Sequence, residues 1–141
     1  MTPDQIRLVQ ESFRQVVPIK DAAAALFYEK LFAIDGSLRA LFRETEMKKQ
    51  GAKLMAALGF VVHGLSRAET MLSAVQDLAR RHVGYGVEEQ HYETVGQALI
   101  ETLEAGLGEA FTQEVRQAWV AAYGLLAGVM IEAARESRLA A

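Results

Sequence analysis

Three side chains in this sequence have the chemistry to do more than fold it: a histidine in "LARRHVGYGV" (His82), a tyrosine in "LFYEKLF" (Tyr28) and a glutamine in "KKQGAKLM" (Gln50). His82 lies four residues after Leu78 and seven after Val75, so on a helix of 3.6 residues per turn it faces inward, while Arg80 and Arg81 point elsewhere. A buried neutral imidazole needs partners for both ring nitrogens, and a backbone carbonyl one turn back can satisfy only one. The other nitrogen either meets a second buried polar group, the ordinary fate of a core histidine, or binds a metal. Tyr28 shares a stripe with Ala24, Leu31 and Phe32, and Gln50 sits one turn ahead of Leu54. Each alone is unremarkable, since tyrosines often reach water with the hydroxyl and first-turn glutamines are often solvated. Two donors and an imidazole on three separate helices, with aromatic and branched aliphatic residues between them, make a cavity with opposed polar poles, which suits a flat apolar cofactor with a reactive centre.

The elements that must position these groups are all helical. Only two prolines occur, Pro3 and Pro18, and nothing alternates as a strand does. Thr2-Pro3-Asp4-Gln5 combines an N-cap, a proline at the first helical position and a capping-box glutamine; the helix it starts carries Ile6, Val9, Phe13 and Val16 inward and ends at Pro18. Asp21 is expected to cap the second helix, with Ala24, Phe27, Tyr28, Leu31 and Phe32 inside. A turn at Asp35-Gly36-Ser37 leads to a short helical piece with Leu38, Leu41 and Phe42, then to the charged connector "RETEMKK". A longer helix follows with Gln50, Leu54, Ala57, Leu58, Val61 and Leu65. Thr70 begins the next, with Leu72, Val75, Leu78 and His82 inward and Gly84 and Gly86 at its end. One more carries Tyr92, Val95, Leu99, Leu103 and Leu107 and closes at Gly106 and Gly108. Thr112 caps the last, with Trp119, Tyr123, Leu126 and Met130 inward and a tail over 136–141 expected to fray.

Composition narrows the function. A chain of 141 residues, 51% hydrophobic and 23% charged, predicts one domain over 1–141 with a real core. A net charge of -3 and a pI near 5.6 give no basic field for nucleic acid or an anionic membrane. Without cysteine there is no disulfide, thiolate metal site or thiol catalysis. No charged start leads into an apolar run, which points to a cytoplasmic protein. The longest uncharged segment, Gln117 to Ile131, is shorter than the roughly 20 residues of a membrane span and reads as a buried helix. A zinc site from His82, His91 and Glu93 matches no usual spacing, and His63 and His91 are most simply exposed or helix-end histidines.

The strings "LFYEKLF", "LRALF", "KKQGAKLM", "LARRHVGYGV", "HYETVG" and "AWVAAYGLLAGVM", in this order and spacing from Thr2 to about Met130, resemble bacterial single-domain globins, in the group similar to neuroglobins and flavohaemoglobin globin domains. The resemblance implies an all-α three-over-three helical sandwich around haem b. It implies His82 as proximal iron ligand, Phe42 against the porphyrin face, and Tyr28, Gln50 and Leu54 on the distal side. Leu78, Tyr85, Val87, Tyr92 and Val95 would line the proximal side and its approach, and Lys53, Arg81 and Lys49 would reach the haem propionates, solvated surface charge being the alternative for these cations.

The expected activity is reversible binding of O2, CO and NO at a five-coordinate iron, with high O2 affinity from Tyr28 and Gln50, in a monomer or weak homo-oligomer that stores, transports or scavenges oxygen. His63, 13 residues beyond Gln50, is about 20 Å away along the helix and cannot close the sixth position; Tyr28, Lys53, water or hydroxide remain open for the ferric form. Other readings are an NO- or peroxide-detoxifying enzyme with an external reductase, a sensor, which would be expected to carry an output domain that this sequence does not predict, and a helical interaction module. In flavohaemoglobins a buried glutamate of the last helix joins the proximal histidine and the tyrosine matching Tyr92; the equivalent position here is Ala134, and Glu132 should face another way. No flavin or nicotinamide domain is expected in this chain.

Overall fold

The computed structural model describes residues 1–43 and 45–140. Among the described residues six α-helices follow one another: α1 (Pro3–Val16), α2 (Lys20–Ile34), α3 (Met47–Gly64), α4 (Ala68–Gly84), α5 (Glu89–Leu107) and α6 (Gln113–Ala140), with short 3-10 turns at Val17–Ile19, Gly36–Phe42, Leu65–Arg67 and Gly108–Ala110. No strand occurs among the described residues.

The capping chemistry explains most boundaries. Thr2 and Gln5 form the full capping box of α1, and the Thr112 hydroxyl accepts from the Val115 amide at the start of α6. Pro18 does not stop the chain; it sits in a 3-10 turn that leads straight into α2 at Lys20, so Asp21 lies inside the first turn and caps nothing. Glu46, in the charged connector, caps α3 by accepting from the amides of Lys48 and Lys49 at 3.1 and 3.2 Å. α4 begins at Ala68, two residues ahead of the expected Thr70. Leu72 is 47% exposed rather than inward. The inner stripe instead runs Met71, Val75, Leu78, His82, and Met71 crosses α3 where a Cβ on Gly64 would collide with its thioether.

The apolar interior divides in two. One cluster joins α1, α2, α3, α5 and the first half of α6, including Phe13, Phe27, Tyr28, Leu99 and Trp119; the second joins α4, the start of α5 and the second half of α6, including Val75, Ala79, Tyr92, Met130 and Ala133. α6 packs on α1 with one half and on α4 with the other, while α2 packs on α3 and α5. At 1.5 Å per residue its 28 residues are about 42 Å long, enough to back both clusters. α6 is also, among the described residues, the one helix long and apolar enough by length and composition to cross a membrane, with a window of mean hydropathy 1.3. The uncharged run from Gln117 to Ile131 is therefore only part of a longer apolar helix. The expected frayed tail is helix through Ala140, and its arginines are engaged: Arg135 pairs with Glu89, and Arg138 donates to the Val87 carbonyl at 3.0 Å.

Buried polar groups tie α1 to α6. The Trp119 indole N–H donates to Ser12 Oγ at 2.8 Å with both side chains buried, and that hydroxyl donates to Leu8 O at 2.7 Å. Ser12→Ala strands the indole N–H, so a loss of about 1–3 kcal/mol is expected in urea unfolding, whereas Trp119→Phe in the Ser12→Ala background should add little beyond the lost packing.

Candidate functional site

Tyr28 is 7% exposed, held edge-on to Phe27 at 5.1 Å and to Phe42 at 5.4 Å between ring centroids, with Phe32 at 6.1 Å. α2 supplies Phe27, Tyr28 and Phe32, and the 3-10 turn after it supplies Phe42. The close approach of α2 and α3, where a Cβ on Gly51 would lie 3.0 Å from that of Ala24, sets Gln50 beside the ring. Gln50 Nε2 donates to the Tyr28 hydroxyl oxygen at 3.2 Å. The tyrosine oxygen is thus an acceptor in this bond, and its own proton is left to donate elsewhere. Burial pushes the Tyr28 hydroxyl above the ordinary tyrosine range, with the Gln50 bond pulling slightly the other way, so it keeps that proton at neutral pH.

His82 stands in the last turn of α4, half-buried. Its Nδ1–H donates to the Leu78 carbonyl at 2.8 Å, the one-turn-back bond expected from the sequence. Burial holds its pKa below the ordinary histidine value, the Leu78 bond opposing, so the ring is neutral and Nε2 carries a free lone pair. Downstream, the amide of Val87 donates to His82 O at 3.1 Å and the chain turns through Gly86 at φ +89, a conformation glycine allows without strain. A Cβ on Gly86 would lie 3.4 Å from Leu41, so this turn touches the segment that carries Phe42.

Tyr28 belongs to one apolar cluster, and His82 sits on a helix of the other. The half-buried apolar side chains Phe42, Leu54 and Val95 pack on the first cluster, and Leu78 and Val87 on the second. Tyr92 is buried, and its carbonyl accepts from the Tyr123 hydroxyl at 2.5 Å, which joins α5 to α6 behind the site. The Tyr85 ring is 5.8 Å from the imidazole but 63% exposed. Lys53 and Arg81 are both exposed. His63 is exposed, and His91 closes a capping box at the start of α5, its Nδ1 accepting from the Glu88 amide at 2.9 Å. Among the described residues no group of three or more His, Cys, Asp or Glu could hold a metal ion. Ala134 is buried and Glu132 exposed, which leaves no carboxylate of α6 in the interior beside Tyr92.

Sequence reasoning missed Arg135 and Arg138. Their bonds to Glu89 and Val87 pin the segment that follows His82 to the end of α6, and no local pattern announces partners 46 and 51 residues away.

The globin family profile matches residues 25–130. The chain is a globin. This globin is 30% identical to the flavohemoprotein of Vibrio cholerae over 134 residues, 94% of the chain and 34% of that protein, and 31% identical to the flavohemoprotein of Bordetella pertussis over 133 residues, 93% of the chain and 33% of that protein. It therefore spans about a third of the length of these relatives. Its fold is shared with a bacterial globin of Campylobacter jejuni, with a TM-score of 0.84, 24% identity and coverage of 96% of this chain and 97% of the other. A hexacoordinated haem protein of an anhydrobiotic tardigrade superposes with a TM-score of 0.87 at 15% identity, each chain 96% covered. The fold class expected from the sequence is borne out, and so is haem as the cofactor. The chemistry of the residues present fits it: His82 keeps one ring nitrogen beyond its Leu78 bond, Tyr28 keeps a hydroxyl proton, and Phe42, Leu54, Val95, Leu78 and Val87 are half-buried apolar side chains.

Proposed function

We propose that this globin binds O2, and CO and NO at the same place, for oxygen storage, transport or scavenging, with His82 as the iron ligand of haem b and Tyr28 as the principal donor to the bound gas. The observation that carries the reading is the direction of the Gln50 to Tyr28 hydrogen bond. Haem, when bound, would supply an iron that takes a diatomic gas. The rest is done by the chain. Leu78 fixes the tautomer of His82, so that Nε2 is the nitrogen that binds. Gln50 polarises the Tyr28 hydroxyl and aims its proton away from the amide, and the rings of Phe27, Phe32 and Phe42 hold the phenol in one rotamer and exclude water. A gas that gains negative charge when bound, as O2 does, is stabilised by that proton; CO, less polar when bound, gains less. Burial keeps the Tyr28 hydroxyl protonated and Lys53 is exposed, which favours a sixth position left to the gas.

The test is the absorption spectrum of the purified protein, oxidised, reduced with dithionite and then exposed to air. A five-coordinate reduced form that turns into a stable oxygen-dependent spectrum, reversed by removing oxygen, is expected. A colourless protein that stays colourless with added haem would overturn the proposal. Because Gln50 acts through Tyr28 in this arrangement, Gln50→Leu should raise the O2 dissociation rate by less than Tyr28→Phe does, as measured by stopped-flow displacement with CO.

A second reading, NO dioxygenation with an external reductase, is supported by the flavohemoprotein relatives, of which this chain matches a third. Against it stands Ala134, which gives the proximal histidine no carboxylate partner through Tyr92. Steady NO consumption driven by a nicotinamide-dependent reductase would favour this reading over simple ligand binding.

A further inference from the structure

α6 turns a second apolar face outward. Only a third of its most apolar stretch is buried, and Val120 and Leu125 are each 53% exposed. Between Gln117 and Ile131 that outer face carries no charge. At its centre stand Gly124 and Gly128, both exposed in the interior of a long helix, where glycine costs stability relative to alanine. Other helical glycines of this chain make room for a neighbour, Gly64 for Met71 and Gly96 for Tyr123. A Cβ on Gly124 or Gly128 would meet nothing within 4 Å, so no part of the same copy uses the room they leave. Beside Gly124 an open groove of about 460 Å³ runs between α5 and α6, with Tyr92, Tyr123, Ala127 and Ile131 among its walls.

The order of residues along this face says what covers it. Gln117, Val120, Gly124, Gly128 and Ile131 follow one another at spacings of 3, 4, 4 and 3, a sequence of steps that reads the same in both directions about Gly124. Two such helices laid antiparallel across a twofold axis at Gly124 bring Gly124 onto Gly124 and set Val120 of each copy into the hollow at Gly128 of the other. The charges obey the same axis. Arg116 and Glu132 are both exposed and lie 8 residues before and 8 after Gly124, about 80° to either side of the midline of the face at 100° per residue. A twofold reverses both height and side, so Arg116 of one copy comes level with Glu132 of the other, at both ends of the contact. Within its own copy Arg116 already holds Glu104 at 3.2 Å, and Glu132 lies one turn from Arg135, so charges of alternating sign line up across the join. We infer that the outer face of α6 docks a second copy of this chain, antiparallel and centred on Gly124. A single helix pair stands at the low end of specific interface sizes, so the association is reversible and depends on concentration.

The experiment is sedimentation equilibrium of the purified haem-loaded chain at concentrations from about 1 µM to about 1 mM, the range in which weak association shows. A monomer–dimer equilibrium is expected. Gly124→Glu and Gly128→Glu should each abolish it while thermal unfolding stays at or above that of wild type, because the added side chains meet nothing in their own copy and glycine is the poorer helix former. Arg116→Glu and Glu132→Arg should each raise the dissociation constant at least tenfold by setting like charges opposite one another twice, and the double variant should return to within about threefold of wild type. Because the charge pair is restored without restoring either residue, a general loss of folding cannot imitate that recovery. A wild type that stays monomeric throughout would overturn the proposal. A dimer that survives both glycine substitutions would place the interface elsewhere, and a double variant no tighter than the single ones would overturn the antiparallel register. A monomer that floats with phosphatidylcholine vesicles would assign the face to a membrane instead. None of these outcomes bears on the gas-binding reading, which is tested by its own spectra.

Discussion

His82→Ala is expected to lose the haem spectrum of the wild type. Removing merely an outer partner of a metal ligand weakens affinity by about 10–100-fold, and deleting the ligand should cost at least that. No other histidine is placed to take over: His63 is exposed on α3 and the Nδ1 of His91 is occupied by the Glu88 amide. Haem transfer to an acceptor globin, followed at the Soret band, should be faster by at least that factor. Added imidazole should restore a five-coordinate spectrum, because the variant keeps Leu78, Val87 and the half-buried apolar lining. An unchanged spectrum in His82→Ala would place the ligand elsewhere and remove the basis for assigning a proximal role to α4.

Tyr28→Phe should raise the O2 dissociation rate about tenfold, the equivalent of roughly 1–1.5 kcal/mol for one net hydrogen bond. The ring packing against Phe27, Phe32 and Phe42 is retained, so thermal unfolding should change little. CO dissociation should move far less, and that contrast separates a lost donor from a loosened pocket. The substitution also frees the Gln50 amide that now donates to the hydroxyl, so the double variant with Gln50→Leu should be faster still. A rate within about twofold of wild type would mean that the phenol proton points away from the gas.

Most of this arrangement was legible in the chain because it is local. The inward placement of His82, its bond to Leu78 and the stripe through Ala24, Tyr28 and Leu31 follow from helical periodicity over a few residues, and the structure keeps each of them. Where the reading slipped, the deciding partner was distant or the local signal was split. Leu72 and Met71 are equally apolar, and the choice between them is made by Gly64 on another helix. Pro18 does end α1, which stops at Val16, but the 3-10 turn around it feeds directly into α2 at Lys20, so the cap expected at Asp21 is not used. The tail over 136–141 has no apolar stripe of its own to hold it; Arg138 within it donates to the Val87 carbonyl, and Arg135 just before it pairs with Glu89. The Gln50 to Tyr28 bond lay between these cases, since both residues could be placed inward but not the direction of the proton between them.

The division of α6 between two apolar clusters has a consequence for biosynthesis. Val115, Ala118, Trp119 and Ala122 complete the cluster that holds Tyr28, and Ala127, Met130 and Ala133 complete the one under α4. All of them follow residue 114, so both clusters stay open until α6 has been synthesised. Until then the growing chain has no closed interior on either side. Both clusters are thereby closed by a single helix, which makes their completion one event in the growing chain rather than two.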